Sequence, residues 1–543
     1  MNNIKKTVGI FLCIVMMLSI VACAGNNSDS ASQGSGSAPG QSGQTQPDNS
    51  QENQQGTSGS SPKNDTITVA APFAPANLAP FGTSDAFTDF VVYSMYESLY
   101  VIDDITGEVK PLIMENYELS DDGLVYTFHL KKGIKDTNGN EITASDCVFS
   151  FNLANNSPRA IDTMNIDFEK TEAVDTYTFK LCSLDPGSIY ISKYAHIYIV
   201  SEKSFKESPD EMVTTPVGTG PYKLDTWTQG ISIKLTANED YWGGGFDVKN
   251  LEIKTIGEPS QRTTTLLTGE TNFIYEYNIS DGEHINSTAG LIADERETNN
   301  VVNIGFDCSE DSIVNDINFR KAVCLALNNE ALTKMIFLGY NEPAISSQPK
   351  CVFDYSESWE GCEFYEYDVD AAKEYLSMSN YDGSTLVFVT VADQGDLERM
   401  AEAIQRQLKE INVNVDIQTF DSVTVNTMVM RQPEAWDIYL STMHTFSNLA
   451  IETALNLHLL FNTVHIYGDL FAQFAEYCQT GISSPSEQQR REYTDKAIWL
   501  WQDNCTLYSI CFTTMKNAFA DYITNINCYS TGKIAWHEIV ITG

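Results

Sequence analysis

The chain predicts a mixed α/β fold, and three observations carry that prediction. Short segments alternate apolar and polar residues. Other segments between them repeat apolar residues at steps of three and four. Residues 66–543 are also long enough for roughly two or three domains with cores of their own. Thr66–Ala70 (TITVA) alternates as a strand does, and Leu124, Tyr126, Phe128 and Leu130 fall on one face of the next such segment. Tyr177, Phe179 and Leu181 repeat the pattern, as do Ile231, Ile233 and Leu235. Leu386–Val391 (LVFVTV) is apolar on both faces, as expected of a fully covered strand. Helical spacing links Phe319, Val323, Ala326 and Leu327, and again Leu397, Met400, Ile404, Leu408 and Ile411. An Arg/Glu-rich helix is expected around Glu487–Asp503, followed by an apolar run at Leu507–Phe512.

The N-terminus reads as an export signal. Lys5 and Lys6 precede an apolar run from Val8 to Ala22, too short for a comfortable permanent span. Ile20-Val21-Ala22-Cys23 closes it and resembles a bacterial lipobox. That resemblance implies cleavage after residue 22 and a lipid on Cys23, where two or more acyl chains anchor a protein stably. From Ala24 to Asp65 there is no Val, Ile, Leu, Met, Phe, Trp, Tyr or Cys. Such a Ser/Gly/Gln/Asn stretch cannot bury apolar surface and is expected to be a disordered tether, about 35–40 Å end to end. Residues 1–22 are thus expected to be signal peptide and 23–65 lipidated cysteine plus tether.

Charge narrows the partners. With 33 basic and 73 acidic residues the net charge is −40, which argues against nucleic acid, whose phosphates need clustered Lys and Arg. Solubility and self-repulsion account for the excess more simply than a cationic ligand does. No C-x-x-C occurs among the 12 cysteines, so zinc-ribbon and thioredoxin readings lack support. Cys351 and Cys362, in a Pro/Gly-containing segment, are the expected bridged pair if any forms, and Cys324 is expected to be a buried thiol.

Several phrases, in order, resemble family 5 of the extracellular solute-binding proteins, which serve ATP-driven importers. They are Tyr96-Glu97-Ser98-Leu99-Tyr100, the hairpin phrase from Asp122-Gly123 through Tyr126-Thr127-Phe128 to Gly133, and Asn138-Gly139 with Thr143–Ser150. Pro216-Val217-Gly218-Thr219-Gly220-Pro221-Tyr222, Asn238 with Tyr241-Trp242-Gly243, Phe319–Ala322 with Asn328-Asn329-Glu330, and Asp368–Leu376 complete the set. Each phrase is weak alone, whereas their order and spacing over nearly all of 66–543 are specific. Locally, Asp122-Gly123 and Asn138-Gly139 are turn dipeptides, and the Gly218–Pro221 segment reads as a tight chain reversal.

The resemblance implies a periodic division that the pattern alone does not give. It is a two-lobed clamp of the periplasmic-binding-protein type with an extra subdomain, its mixed sheets flanked by helices. Lobe I would comprise 66–110, 216–305 and 512–543, the subdomain 111–215, and lobe II 306–511. It also implies that a peptide or peptide-like solute is buried as the lobes close, and that an ABC permease and ATPase complex receives it. The protein is expected to be a monomer on the extracytoplasmic face, anchored to the membrane through Cys23, with no cofactor, metal or nucleic acid.

In peptide-binding members an acid after the strand matching Trp436–Ser441 pairs with the peptide amine. Here 442–448 holds no acid, and Phe446 or Asn448 falls where the aspartate belongs. His444 suits the aromatic and polar contacts of nickel-complex members, although a lone histidine is more often structural. Glu276 and Tyr277, after the phrase Leu267–Glu270, and Phe81, after the first strand, are the candidates from the first lobe. Nickel or metallophore binding, and peptide sensing without import, remain alternatives on the same fold. A hydrolase is the rival class: the folded body has no G-x-S-x-G, H-E-x-x-H or G-x-x-x-x-G-K-[ST], so no catalytic function is expected.

Overall fold

A computed structural model describes residues 65–542, apart from 83–85, 104–106, 188, 210, 393–394, 444–448, 460–467, 485 and 529–532. The expected signal peptide at 1–22, Cys23, all but the last residue of the 23–65 tether, and His444, Phe446 and Asn448 lie outside the described residues.

One 11-stranded mixed sheet organises the molecule. From one edge its order is Asn414–Phe420, Thr385–Val391, Ile438–Met443, Leu291–Phe306, Leu507–Ala520, Phe273–Ile274, Thr66–Ala71, Asn250–Thr255, Ser232–Ala237 and Tyr222–Thr228, with Glu342–Pro343 also on Leu507–Ala520. The two long central strands, Leu291–Phe306 and Leu507–Ala520, run the full height of the sheet, and each serves both halves.

The sequence patterns explain most of these elements. Thr385–Val391 is paired in parallel on both sides, which is why it reads as a continuous apolar run. Tyr126, Phe128 and Leu130 are buried together in the strand Val125–Leu130 of a separate four-stranded sheet, with Phe179 and Leu181 behind them. Helices Ile317–Ala326 and Gly395–Glu410 bury the expected apolar faces. Two expectations need correction. Ile231 does not join Ile233 and Leu235 inside: it lies in the turn before Ser232–Ala237 and is 64% exposed, because the alternation there begins at the turn itself. Cys351 and Cys362 are not bridged; no disulfide joins any of the ten described cysteines, and Cys362 lies beside Cys505 instead. Cys324 is a buried thiol, and burial and its neighbour Cys505 push its pKa well up.

The glycine phrases have separate physical reasons. Gly123 and Gly139 take φ of 71° and 83°, where a side chain is strained. Gly218 and Gly220 do not have positive φ. There the chain presses on the end of another segment: a Cβ on Gly218 would stand 2.1 Å from the Met95 carbonyl oxygen, and one on Gly220 would stand 2.5 Å from its carbonyl carbon. Gly220 N–H donates to that same carbonyl oxygen at 2.9 Å.

Candidate functional site

Strand direction points to a candidate site. The strand Leu291–Phe306 runs from one half of the sheet into the other, antiparallel to Leu507–Ala520. Phe273–Ile274 is antiparallel to the latter, and Thr66–Ala71 and Asn250–Thr255 are parallel to Phe273–Ile274 or to each other. Their carboxyl ends therefore point toward the second half. In that half, Ile438–Met443 is antiparallel to Leu291–Phe306, and Thr385–Val391 and Asn414–Phe420 follow it in parallel. Their carboxyl ends point back toward the first. Two sets of parallel strands thus end facing one another, and open α/β sheets bind ligands outside such ends.

The central ladder is interrupted at the same level. Between the pairs Glu297–Thr514 and Val301–Phe512 the register shifts, so three residues on one strand stand opposite one on the other. Thr298 Oγ1 donates to the Thr513 carbonyl at 3.0 Å and lies 2.7 Å from the Thr513 hydroxyl. An interruption of this kind bends and twists a strand locally.

Two of the candidate residues directly follow one of these strands. Phe81 lies in the segment after Thr66–Ala71 and is packed into the main core, 5% exposed. Glu276 and Tyr277 follow Phe273–Ile274. Glu276 takes φ of +48°, a left-handed conformation costly for a side-chain-bearing residue. Arg262 holds it there. From the helix Pro259–Leu267, Arg262 donates through Nη2 to the Glu276 carbonyl at 2.5 Å, through Nε to Tyr275 O at 2.8 Å, and through Nη1 to Ile256 O and Gly257 O at 2.8 and 2.7 Å. One buried guanidinium so collects four carbonyls from the ends of two strands. Burial pushes the Glu276 carboxyl pKa up, against the pull of Lys516 and Arg262. The Tyr277 ring is buried among Ala70, Leu266, Ile274, Ile285 and Ala518, and its hydroxyl donates to Glu295. Beside them Tyr275 packs on Phe73 and Phe90, with ring centroids at 5.4 and 6.2 Å.

On the opposing face, the helix Ala450–Leu459 follows Ile438–Met443. Asp354 accepts its first amides, Ala450 N–H at 2.6 Å and Ile451 N–H at 3.3 Å, as an acceptor at a helix N-terminus does.

Known proteins with this arrangement bear on its meaning. The model of bacterial extracellular solute-binding proteins, family 5, middle region, matches residues 108–452. The chain belongs to that family. A relative, the glutathione-binding protein GsiB of Escherichia coli, is 26% identical over 373 residues, covering 66% of this chain and 70% of that one. Two solved structures show the same fold. The ABC transporter substrate-binding protein CtaP from Listeria monocytogenes superposes with a TM-score of 0.80 at 20% identity, covering 89% of this chain and all of its own. The periplasmic binding protein DppA from Helicobacter pylori, in complex with the peptide STSA, gives 0.71 at 20% identity, covering 88% and 98%.

As a family 5 solute-binding protein the chain has the two-lobed fold, with mixed sheets flanked by helices. The structure places Glu276 and Tyr277 just after Phe273–Ile274, at the facing strand end of one half, whereas Phe81 lies beyond Thr66–Ala71 and is packed into the core. Sequence reasoning missed Arg262, which sits in a Thr-rich helix with no motif to mark it. It also missed a set of charged residues around Asp89, contributed by segments far apart in the chain. Asp89 accepts from Tyr198 Oη at 2.7 Å and pairs with Arg159 at 2.9 Å and Lys533 at 2.5 Å. Burial raises the Asp89 carboxyl pKa, but the two cations win and hold it below the usual carboxylate range. No single stretch of sequence contains that constellation.

Proposed function

We propose that this chain captures a peptide or peptide-like solute between its two lobes and delivers it to an ABC importer. The observation that carries this reading is the pair of parallel strand sets whose carboxyl ends face each other across an interrupted central ladder. A solute that touches both faces stabilises the closed arrangement over the open one, and an importer can then distinguish loaded from empty protein. Family membership supports the binding role, and relatives named for glutathione and for peptide complexes support the class of solute.

In this proposal lobe I comprises 66–110, 216–305 and 512–543, with the subdomain 111–215, and lobe II comprises 306–511. The solute meets Glu276, Tyr277 and Phe81 from one side and His444, Phe446 and Asn448 from the other. Main-chain hydrogen bonding gives tolerance of side chains. The protein acts as a carrier without catalysis, as a monomer on the extracytoplasmic face, tethered by lipid on Cys23. No described helix is long and apolar enough to cross a membrane.

Native mass spectrometry of the gently purified chain tests the function. Added masses fitting short peptides, exchangeable for synthetic peptides, are expected. Hydrolysis of those peptides at turnover, or no retention of any peptide from a mixed pool, overturns the proposal.

A further inference from the structure

Six charged side chains from five separate segments alternate in sign through the interior. Lys533 pairs with Asp89, Asp89 with Arg159 at 2.9 Å, and Arg159 reaches Asp162 at 3.8 Å. Asp162 feels Lys193 as an attractive neighbour, and Lys193 Nζ pairs with Glu452 Oε1 at 3.0 Å. The first five belong to the helix Ala86–Val92, residues 159–162, the helix Tyr190–Tyr194 and the C-terminal segment. Glu452 alone comes from the opposing half, in the first turn of Ala450–Leu459. Its side chain is 5% exposed and that of Lys193 is 20% exposed.

Two further contacts tie the same surfaces. Gly187, just before the Lys193 helix, lies so close to the end of the helix Gly468–Ile482 that a Cβ would stand 2.6 Å from the Ile482 carbonyl oxygen. Asp354 pins the first turn that carries Glu452 by accepting two of its amides, and Thr494 Oγ1 donates to the same carboxylate at 3.3 Å. Glu452 is therefore presented on a fixed turn. Its second oxygen, Oε2, is buried and takes no hydrogen bond, so Lys193 is its one described cationic partner.

We propose that Lys193 and Glu452 are closure-positioning residues, an ion pair that joins subdomain to second lobe when the cleft is shut and parts when it opens. This rests on the reading of the chain as a clamp. Glu452 without Lys193 would be a buried carboxylate with no cation, a state that drives the lobes apart so that water can reach it. With Lys193 present, the alternating row continues across the lobe boundary and ends on Glu452, and each of the four inner charges lies between two opposite ones. The pair sets how much of the empty protein is already closed, and hence the apparent solute affinity, without touching the solute.

Hydrogen–deuterium exchange of the full chain, with no solute added, tests this. Lys193→Met and Glu452→Gln are each expected to speed exchange in peptides covering 187–196 and 450–454 by on the order of tenfold, the equivalent of about 1.4 kcal/mol. Lys193→Arg should exchange as the wild type does, and the double variant no faster than either single one. Wild-type exchange in both single variants, additive effects in the double variant, or failure of Lys193→Arg to preserve protection overturns the proposal. Should Glu452→Gln leave Lys193 stranded and unfold the chain, Lys193→Met/Glu452→Gln carries neither charge and decides alone: faster exchange than wild type supports the pair, wild-type exchange refutes it. The readout needs no solute, so it separates this inference from the proposed function.

Discussion

The Tyr241 hydroxyl donates to Glu97 Oε1 at 2.6 Å, which joins two of the motifs that mark the family. Trp242 Nε1 donates to the other oxygen of the same carboxylate at 2.5 Å, and Lys131 stacks over the Trp242 ring. Burial raises the Glu97 pKa from 4.5 to about 7, against these donors and Lys131. The folded chain therefore holds a proton there that the unfolded chain releases at lower pH. This group's contribution to stability is full below about pH 4.5 and is lost as the pH rises through about 7. Asp162, raised by burial from 3.8 to about 6 against Arg159 and Lys193, acts in the same direction. Thermal melts should show Tm falling between pH 5 and pH 8. Glu97→Gln should make that fall shallower, while lowering Tm by a few degrees because an amide cannot accept from both donors. A Tm that rises over this range contradicts the assignment.

Gly218 and Gly220 should be intolerant of alanine for want of space. Either substitution drives a methyl into the Met95 backbone, which cannot move aside like a side-chain tip. The expected loss is ~2 kcal/mol or more, read by urea unfolding. Gly139→Ala, where nothing lies within 4 Å but φ is +83°, should cost about 1 kcal/mol from backbone strain alone.

Arg262→Met should leave four carbonyls without their shared donor and cost on the order of 3 kcal/mol. Arg262→Lys should recover only part of this, since one ammonium cannot span the same fork. Unchanged unfolding in the methionine variant would show that the four bonds are replaced by water at no cost.

Glu276→Ala and His444→Ala should weaken peptide retention without lowering the Tm of the empty protein. Glu276→Gly should in addition raise Tm slightly, because φ of +48° is free of strain for glycine. Full retention in both alanine variants, measured by calorimetry with a peptide found bound to wild type, would displace the proposed site.

Cys23→Ala should release the protein into the medium or leave an unprocessed precursor. Fractionation with unchanged membrane attachment would rule out the lipid anchor.

Local pattern was enough for much of the fold. Alternation found the strands at Thr66, Val125 and Thr178, a continuous apolar run found the one at Thr385, and three-and-four spacing found the helices at Ile317 and Gly395, because each must bury the faces that pack. The ordered phrases were enough for the family. Ile231 was misplaced because alternation does not mark where a turn ends, and the Cys351–Cys362 pairing failed because sequence separation does not specify thiol geometry. The Gly218–Pro221 phrase was recognisable, but its reason, contact with Met95, involves a segment more than a hundred residues away. Tertiary structure alone decided the facing strand ends, the Arg262 fork and the row of charges from Lys533 to Glu452. Local sequence fixes which residues a segment buries. Strand direction, and which distant charges share one dry interior, follow only once the whole sheet is assembled.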